Sequence, residues 1–122
     1  MQWILVSIGA ALGAMLRLLF AQMLNALHPA IPYGTLLANV LGGFLMGLVL
    51  ASTQQLSTEM RLLLATGFLG GLTTFSTFSA ESFTLLNNGR IGMAFFLIGL
   101  HVIGSIAATA FGFYLLSAIK SI

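Results

Sequence analysis

Apolar residues run along this chain in four long stretches, separated by short segments marked by prolines, glycine or polar residues. Crossing the hydrocarbon core of a bilayer takes about 20 helical residues, which is the length scale of each stretch. The pattern predicts four membrane helices, over about Trp3 to Leu27, Gly34 to Thr53, Met60 to Leu86 and Ile91 to Ile119. In "HPAIPY", Pro29 and Pro32 stop the first helix and pre-set the start of the second. In "STQQLSTE", Ser57 with Thr58 and Glu59 predicts an N-cap and an acidic first turn for the third. Asn87, Asn88 and Gly89 predict where that helix ends. A soluble four-helix bundle needs a polar face on every helix, and these have none. The expected architecture is one all-α membrane domain over residues 1–122, with no linker or low-complexity segment.

Small residues recur at four-residue spacing: Gly9 and Gly13, Gly43 and Gly47, Gly67 and Gly71, then Gly104, Ala108 and Gly112. In lipid such ridges let helix backbones approach closely, because packing and interhelical hydrogen bonds replace the hydrophobic drive. They predict a compact bundle and self-association.

Polar positions inside the apolar stretches are few and patterned. An unpartnered hydroxyl or amide in hydrocarbon costs several kcal/mol, so such groups face other helices or water. Asn39 stands alone in "TLLANVLGG", with Thr35 one turn before it and Gly43 one turn after. Interhelical bonding and a ligand role are both open to it. His101, Ser105 and Thr109 recur every four residues and draw a polar stripe on one face of the fourth helix. Ser and Thr can bond their own i−4 carbonyls, so the register of the three carries more weight than any one.

The third stretch contains "GGLTTFSTFSAESF", residues 70–83, where seven of fourteen positions are Thr, Ser or Glu. Two adjacent glycines and two adjacent threonines halfway along disfavour an unbroken helix. A break near the middle is therefore expected, leaving carbonyls at mid-depth that only protein or a cavity can satisfy. Beyond it, Phe75 and Phe78 share a face, with Thr74, Thr77 and Glu81 beside them and Ser76, Ser79 and Ser82 widening the polar surface. Phenylalanines at helical spacing are ordinarily packing residues. Interleaved with hydroxyls, their positive ring edges make a surface that can coordinate an anion without a fixed positive charge. The combination suggests a pore for a small, strongly hydrated anion, held weakly enough to leave.

Composition narrows the classes further. Charged residues are 5% of the chain and hydrophobic ones 59%, against about 25% charged in soluble domains. A water-soluble fold is excluded. The absence of cysteine excludes disulfides and thiolate metal sites. His28 and His101 lie in different segments with no carboxylate at ligand spacing, so neither a metal centre nor a catalytic triad is expected, and the chain reads as a non-enzyme. No basic run supports nucleic-acid binding. The N-terminal "MQWILVSIGAALGA" lacks a basic n-region and is read as a retained first helix. Orientation is set by Lys and Arg near helix ends. With the N-terminus cytoplasmic, Arg61 and Lys120 lie inside while Arg17 and Arg90 favour the outside. This tie permits both orientations, and with them an antiparallel homodimer.

The strings "GTLLANVLGGFLMG" and "GFLGGLTTFSTFSAE", with "GAALGAMLR" in the first helix, resemble the small bacterial fluoride channels, the Fluc or CrcB proteins, and the resemblance covers nearly the whole chain. It implies a dual-topology antiparallel homodimer with two pores in the bacterial inner membrane, passing F⁻ passively out of the cytoplasm and relieving fluoride toxicity. It implies that Asn39 is the pore amide, that Phe75 and Phe78 line the F⁻ path, and that Thr74, Ser76 and Thr77 form its hydroxyl-rich segment. Backbone carbonyls of Gly70 and Thr73 from both subunits would hold a structural Na⁺ on the two-fold axis. Arg17 would stand near the aqueous entrance, and Glu81 matches the acid after the second Phe. His101 occupies a position that is often Tyr in the family, one turn before the Ser matching Ser105. Leu18 replaces a common Tyr. Two rivals share the four-helix size: a proton-coupled small multidrug transporter, which would need an acid deep in the first helix where only Arg17 stands, and a structural membrane subunit without transport.

Overall fold

A computed structural model of the chain describes residues 1–121, so Ile122, the last residue of the expected domain, lies outside the described residues. Helix α1 spans Gln2–Leu24 and continues as a 3₁₀ turn over Asn25–Leu27. Helix α2 spans Tyr33–Ala51. The third span opens with α3 (Thr58–Arg61), widens into a π-helical segment over Leu62–Leu69, and tightens again as α4 (Gly70–Leu72). After Thr73 and Thr74 come α5 (Phe75–Asn87) and then α6 (Ile91–Lys120). Among the described residues, four helical spans are long and apolar enough to cross a membrane: Gln2–Leu27, Tyr33–Ala51, Thr58–Asn87 and Ile91–Lys120. Among the described residues the fold is all-helical, with each span where the apolar pattern puts it.

The ends of these helices follow from local chemistry. Ser57 Oγ accepts from the Met60 N–H at 3.1 Å, satisfying one of the donors that a helix start leaves unpaired. The end of α5 is a Schellman turn. Gly89 takes φ +78°, the left-handed region that glycine enters without cost. Arg90 N–H then reaches the Leu85 carbonyl at 2.8 Å and Gly89 N–H the Leu86 carbonyl at 3.1 Å. Lys120 Nζ donates to the Ala51 carbonyl at 2.7 Å and to Gln55 Oε1 at 3.0 Å, placing a cation on the C-terminus of α2. Between α1 and α2, His28 organises the proline turn: its Nδ1 accepts from both the Ala30 and Ile31 N–H groups at 3.0 Å.

Two helix pairs carry the packing. α1 lies along the π-helical segment and α4, and α2 lies along α6. The glycine ridges of the first pair face each other. A Cβ on Gly13 would overlap the Phe68 carbonyl, and one on Gly71 the Ala10 carbonyl. In the second pair Gly47 meets the Thr109 carbonyl and Gly112 the Phe44 carbonyl with equally little room. The ridge expected on α6 is thus only partly used. A Cβ on Gly104 would reach nothing nearer than Val40 Cγ2 at 3.4 Å, so the tight approach is concentrated at Gly112. The outer stripe of α1, including Ile8, Leu12, Met15 and Leu19, is exposed, as suits a face turned to lipid.

Within "GGLTT", where a break is expected in the third span, the glycines and the threonines differ. Gly70 is helical, with φ −62° and ψ −36°. Extended backbone occurs instead at Thr73 (φ −81°, ψ 154°) and Thr74 (φ −148°, ψ 119°). Gly71 serves the close approach to α1, whereas the threonines add side-chain bonds on either side of the interruption. Thr73 Oγ1 donates to the Leu69 carbonyl at 2.8 Å, and Thr74 Oγ1 accepts from the Thr77 N–H at 3.1 Å as the N-cap of α5.

Candidate functional site

The extended pair Thr73–Thr74 leaves polar backbone at the middle of a membrane span, where each unpaired group is costly. Asn39 answers this. Its Oδ1 accepts from the Thr74 N–H at 2.8 Å and its Nδ2 donates to the Thr74 carbonyl at 3.1 Å. The carboxamide thus pairs with both polar groups of one residue, and this fixes which end of the amide is oxygen. The same Nδ2 stands 2.9 Å from His101 Nδ1. One amide on α2 thereby ties the third span to α6.

Around this junction lie two hollows. One, of about 240 Å³, is lined by Asn39, Thr73, Thr74, Phe75, Phe78, His101 and Val102. The Phe75 ring meets Phe78 edge-on, with centroids 5.7 Å apart at 71°, and Phe78 stacks on His101 at 4.6 Å. Phe78 is buried, whereas Phe75 is 80% exposed and stands out from the fold. The other hollow, of about 330 Å³, shares Asn39 and Thr73 and adds Gly42, Gly43, Gly70, Ser105 and Thr109. Thr109 Oγ1 reaches both the Gly43 and Ser105 carbonyls at 2.9 Å, so its hydroxyl proton has protein partners.

The remaining residues singled out in the sequence fall elsewhere. Thr77 and Glu81 line a separate hollow of about 330 Å³ with Pro29, Pro32 and Arg90. There Thr35 Oγ1 donates to Glu81 Oε2 at 2.8 Å, while Glu81 Oε1 is buried with no partner among the described residues. Ser76 is exposed, 3.4 Å from Thr74 Oγ1. Arg17 donates from Nε to the Gly71 carbonyl at 3.0 Å, beside the end of α4. Its guanidinium therefore caps a helix end as well as carrying charge. Two partners were not legible in the sequence: Thr35, seen only as a neighbour of Asn39, and Asn25, whose Oδ1 accepts from the Thr35 N–H at 3.1 Å.

The arrangement offers donors, ring edges and a close polar junction, with no Lys or Arg lining either hollow at Asn39. It can hold a small anion only weakly, which suits passage better than storage. Comparison with known proteins agrees in kind. Relatives named "Fluoride-specific ion channel FluC" are 54% identical over 112 residues in Pseudomonas syringae pv. maculicola, covering 89% of this chain and 88% of that protein. In Psychrobacter arcticus the figures are 55% over 118 residues, 93% and 95%, and in Chromohalobacter salexigens 52% over 120 residues, 96% and 91%. Residues 4–113 match the family described as CrcB-like protein, Camphor Resistance (CrcB), and the chain belongs to that family.

Proposed function

We propose that this chain is a fluoride-specific channel of the bacterial membrane, letting F⁻ leave the cytoplasm passively and so relieving its toxicity. The observation that carries the reading is the Asn39 junction, where Thr74, His101 and the Phe75–Phe78 pair meet at one hollow without a fixed cation. Fluoride gives up strongly bound water to enter such a path. Ring edges and N–H and O–H donors stand in for that water, each contributing little, so the ion is not trapped. Ser105 and Thr109 continue the polar track from Asn39 along α6.

The working unit in this reading is an antiparallel homodimer of chains in opposite orientations. The hollow holding Gly70, Thr73 and Ser105 is open on the outside of the single chain, where lipid would be a poor neighbour for polar backbone. A second copy would cover it, and the tie between Arg17 with Arg90 and Arg61 with Lys120 allows that copy to insert inverted. A structural Na⁺ fits the same face. The Thr74 N–H bonds to Asn39 rather than to the Gly70 carbonyl four residues back, which frees a hard oxygen of the kind that Na⁺ takes. Carbonyls of Gly70 and Thr73 from the two copies would hold the ion and fasten the dimer. The break at Thr73–Thr74 is then a working feature of the span.

Purified protein in liposomes tests this directly. Fluoride efflux should be fast and passive, without a proton gradient. Because the chain has no cysteine, a single Cys added at the C-terminus should react with impermeant reagent from both sides of the bilayer. No fluoride flux would overturn the channel reading, and labelling from one side only would overturn the dual orientation.

A further inference from the structure

The hydrogen bonds around Asn39 determine the protonation of a ring they only partly use. Asn39 Oδ1 is identified by the Thr74 N–H that donates to it, so the atom 2.9 Å from His101 is an N–H₂ donor. His101 Nδ1 must therefore accept, and a neutral imidazole that accepts at Nδ1 carries its proton on Nε2. His101 is 3% exposed, and its Nε2 has no hydrogen-bond partner among the described residues. A buried N–H left unpaired is disfavoured, so this site selects for something that can accept.

No other side-chain donor lining the same hollow is left in that position. Both Asn39 amide protons are engaged, and the Thr73 hydroxyl donates to the Leu69 carbonyl. The Thr74 hydroxyl accepts from the Thr77 N–H and has Ser76 Oγ at 3.4 Å for its own proton. Phe78 lies against the imidazole face at 4.6 Å and, with the Asn39 bond at the opposite nitrogen, holds the ring in one orientation. We infer that His101 gives its Nε2–H to the passing anion, as a neutral donor whose tautomer Asn39 sets. The inference rests on the channel reading above and names a ligand atom within it. The pore then contains an imidazole donor that offers a hydrogen bond without a full positive charge, consistent with weak, reversible binding.

Two measurements test it. In protein ¹⁵N-labelled at histidine and held in lipid nanodiscs, His101 should show the Nε2–H tautomer, and its Nε2–H proton should move downfield when sodium fluoride replaces sodium gluconate. An Nδ1–H tautomer, or an Nε2–H signal indifferent to fluoride while the same sample conducts it, would overturn the inference. The second measurement separates the two ring nitrogens. His101→Asn keeps an acceptor near Nδ1 and removes the donor, whereas His101→Gln restores an N–H near Nε2. Among variants that remain dimeric, the Asn form should conduct about tenfold or more below native, and the Gln form should conduct faster than the Asn form. Equal rates in the two variants, or a faster Asn form, would contradict it. A native protein that passes no fluoride would instead count against the channel reading.

Discussion

The third span has two halves that look continuous in length but are built for different tasks. From Leu62 to Leu72 it is apolar and pressed against α1, with Gly67 and Gly71 set into Gly9 and Gly13 so closely that a methyl group would meet backbone. From Thr74 onward it is rich in hydroxyls, packs against α6, and leaves Phe75 standing out of the fold. Two extended residues separate the halves. In lipid, shape holds helices together, so the face that the first half turns to α1 is built of glycines and apolar side chains. The second half leaves room and unpaired polar groups, features that stability alone disfavours. Packing and conduction are therefore separable, and substitutions can damage one without the other.

The largest effect is expected where that separation is attacked at its tightest point. Gly13→Leu drives a side chain into the Phe68 carbonyl with no flexible neighbour to yield. Overpacking of this kind costs about 1–3 kcal/mol and often more against rigid backbone. The folded yield in detergent and the melting temperature should both collapse, whereas the few molecules that fold should conduct fluoride at the native rate per channel. A well-folded but silent Gly13→Leu would break the comparison.

A smaller effect in stability, with a large one in flux, is expected beyond the two threonines. Phe75→Ile and Phe78→Ile both remove a polarised ring edge, and each should lower fluoride flux by about tenfold or more, the scale of one lost interaction of about 1.4 kcal/mol. Their melting temperatures should diverge. Phe78 is 9% exposed and stacked on His101, so its loss leaves a cavity, while Phe75 leaves almost none. Thermal unfolding of the two variants side by side checks this.

The smallest effect lies at the start of the span, far from either task. Ser57→Ala removes the N-cap bond to Met60 and should destabilise by about 1 kcal/mol, with fluoride flux unchanged in liposomes. A flux defect there would mean that the two halves are coupled through the whole length of the helix.

Helix ends and ridges were legible because their causes are local. Ser57, Gly89 and the facing glycine pairs each act within a turn or at a fixed spacing. The position of the extended residues was less so: in "GGLTT" four poor helix formers stand together, and only the fold shows that Gly71 is packed against α1 while Thr73 and Thr74 bond through their own hydroxyls. Asn39 stood out as a lone amide, yet its bonds to Thr74 and His101 cross 35 and 62 positions. Such distances leave no trace in local pattern. The double acceptance at His28 was hidden for another reason, since a histidine beside prolines in a polar turn reads as an ordinary surface residue.

The Asn39–Thr74 bonds also bear on how slowly one amide trades its hydrogen with solvent. Thr74 lies outside every helix, beside a hollow meant to admit an ion, and by position alone its N–H would be among the first in the span to exchange. Asn39 instead supplies the acceptor that a regular helix would have found at Gly70, a side chain standing in for a missing rung of backbone. Exchange at Thr74 is thereby governed by the departure of α2 from the third span and not by local fraying. In deuterated buffer that one amide reports the opening of the junction, and its rate measures how often the path is disassembled at rest.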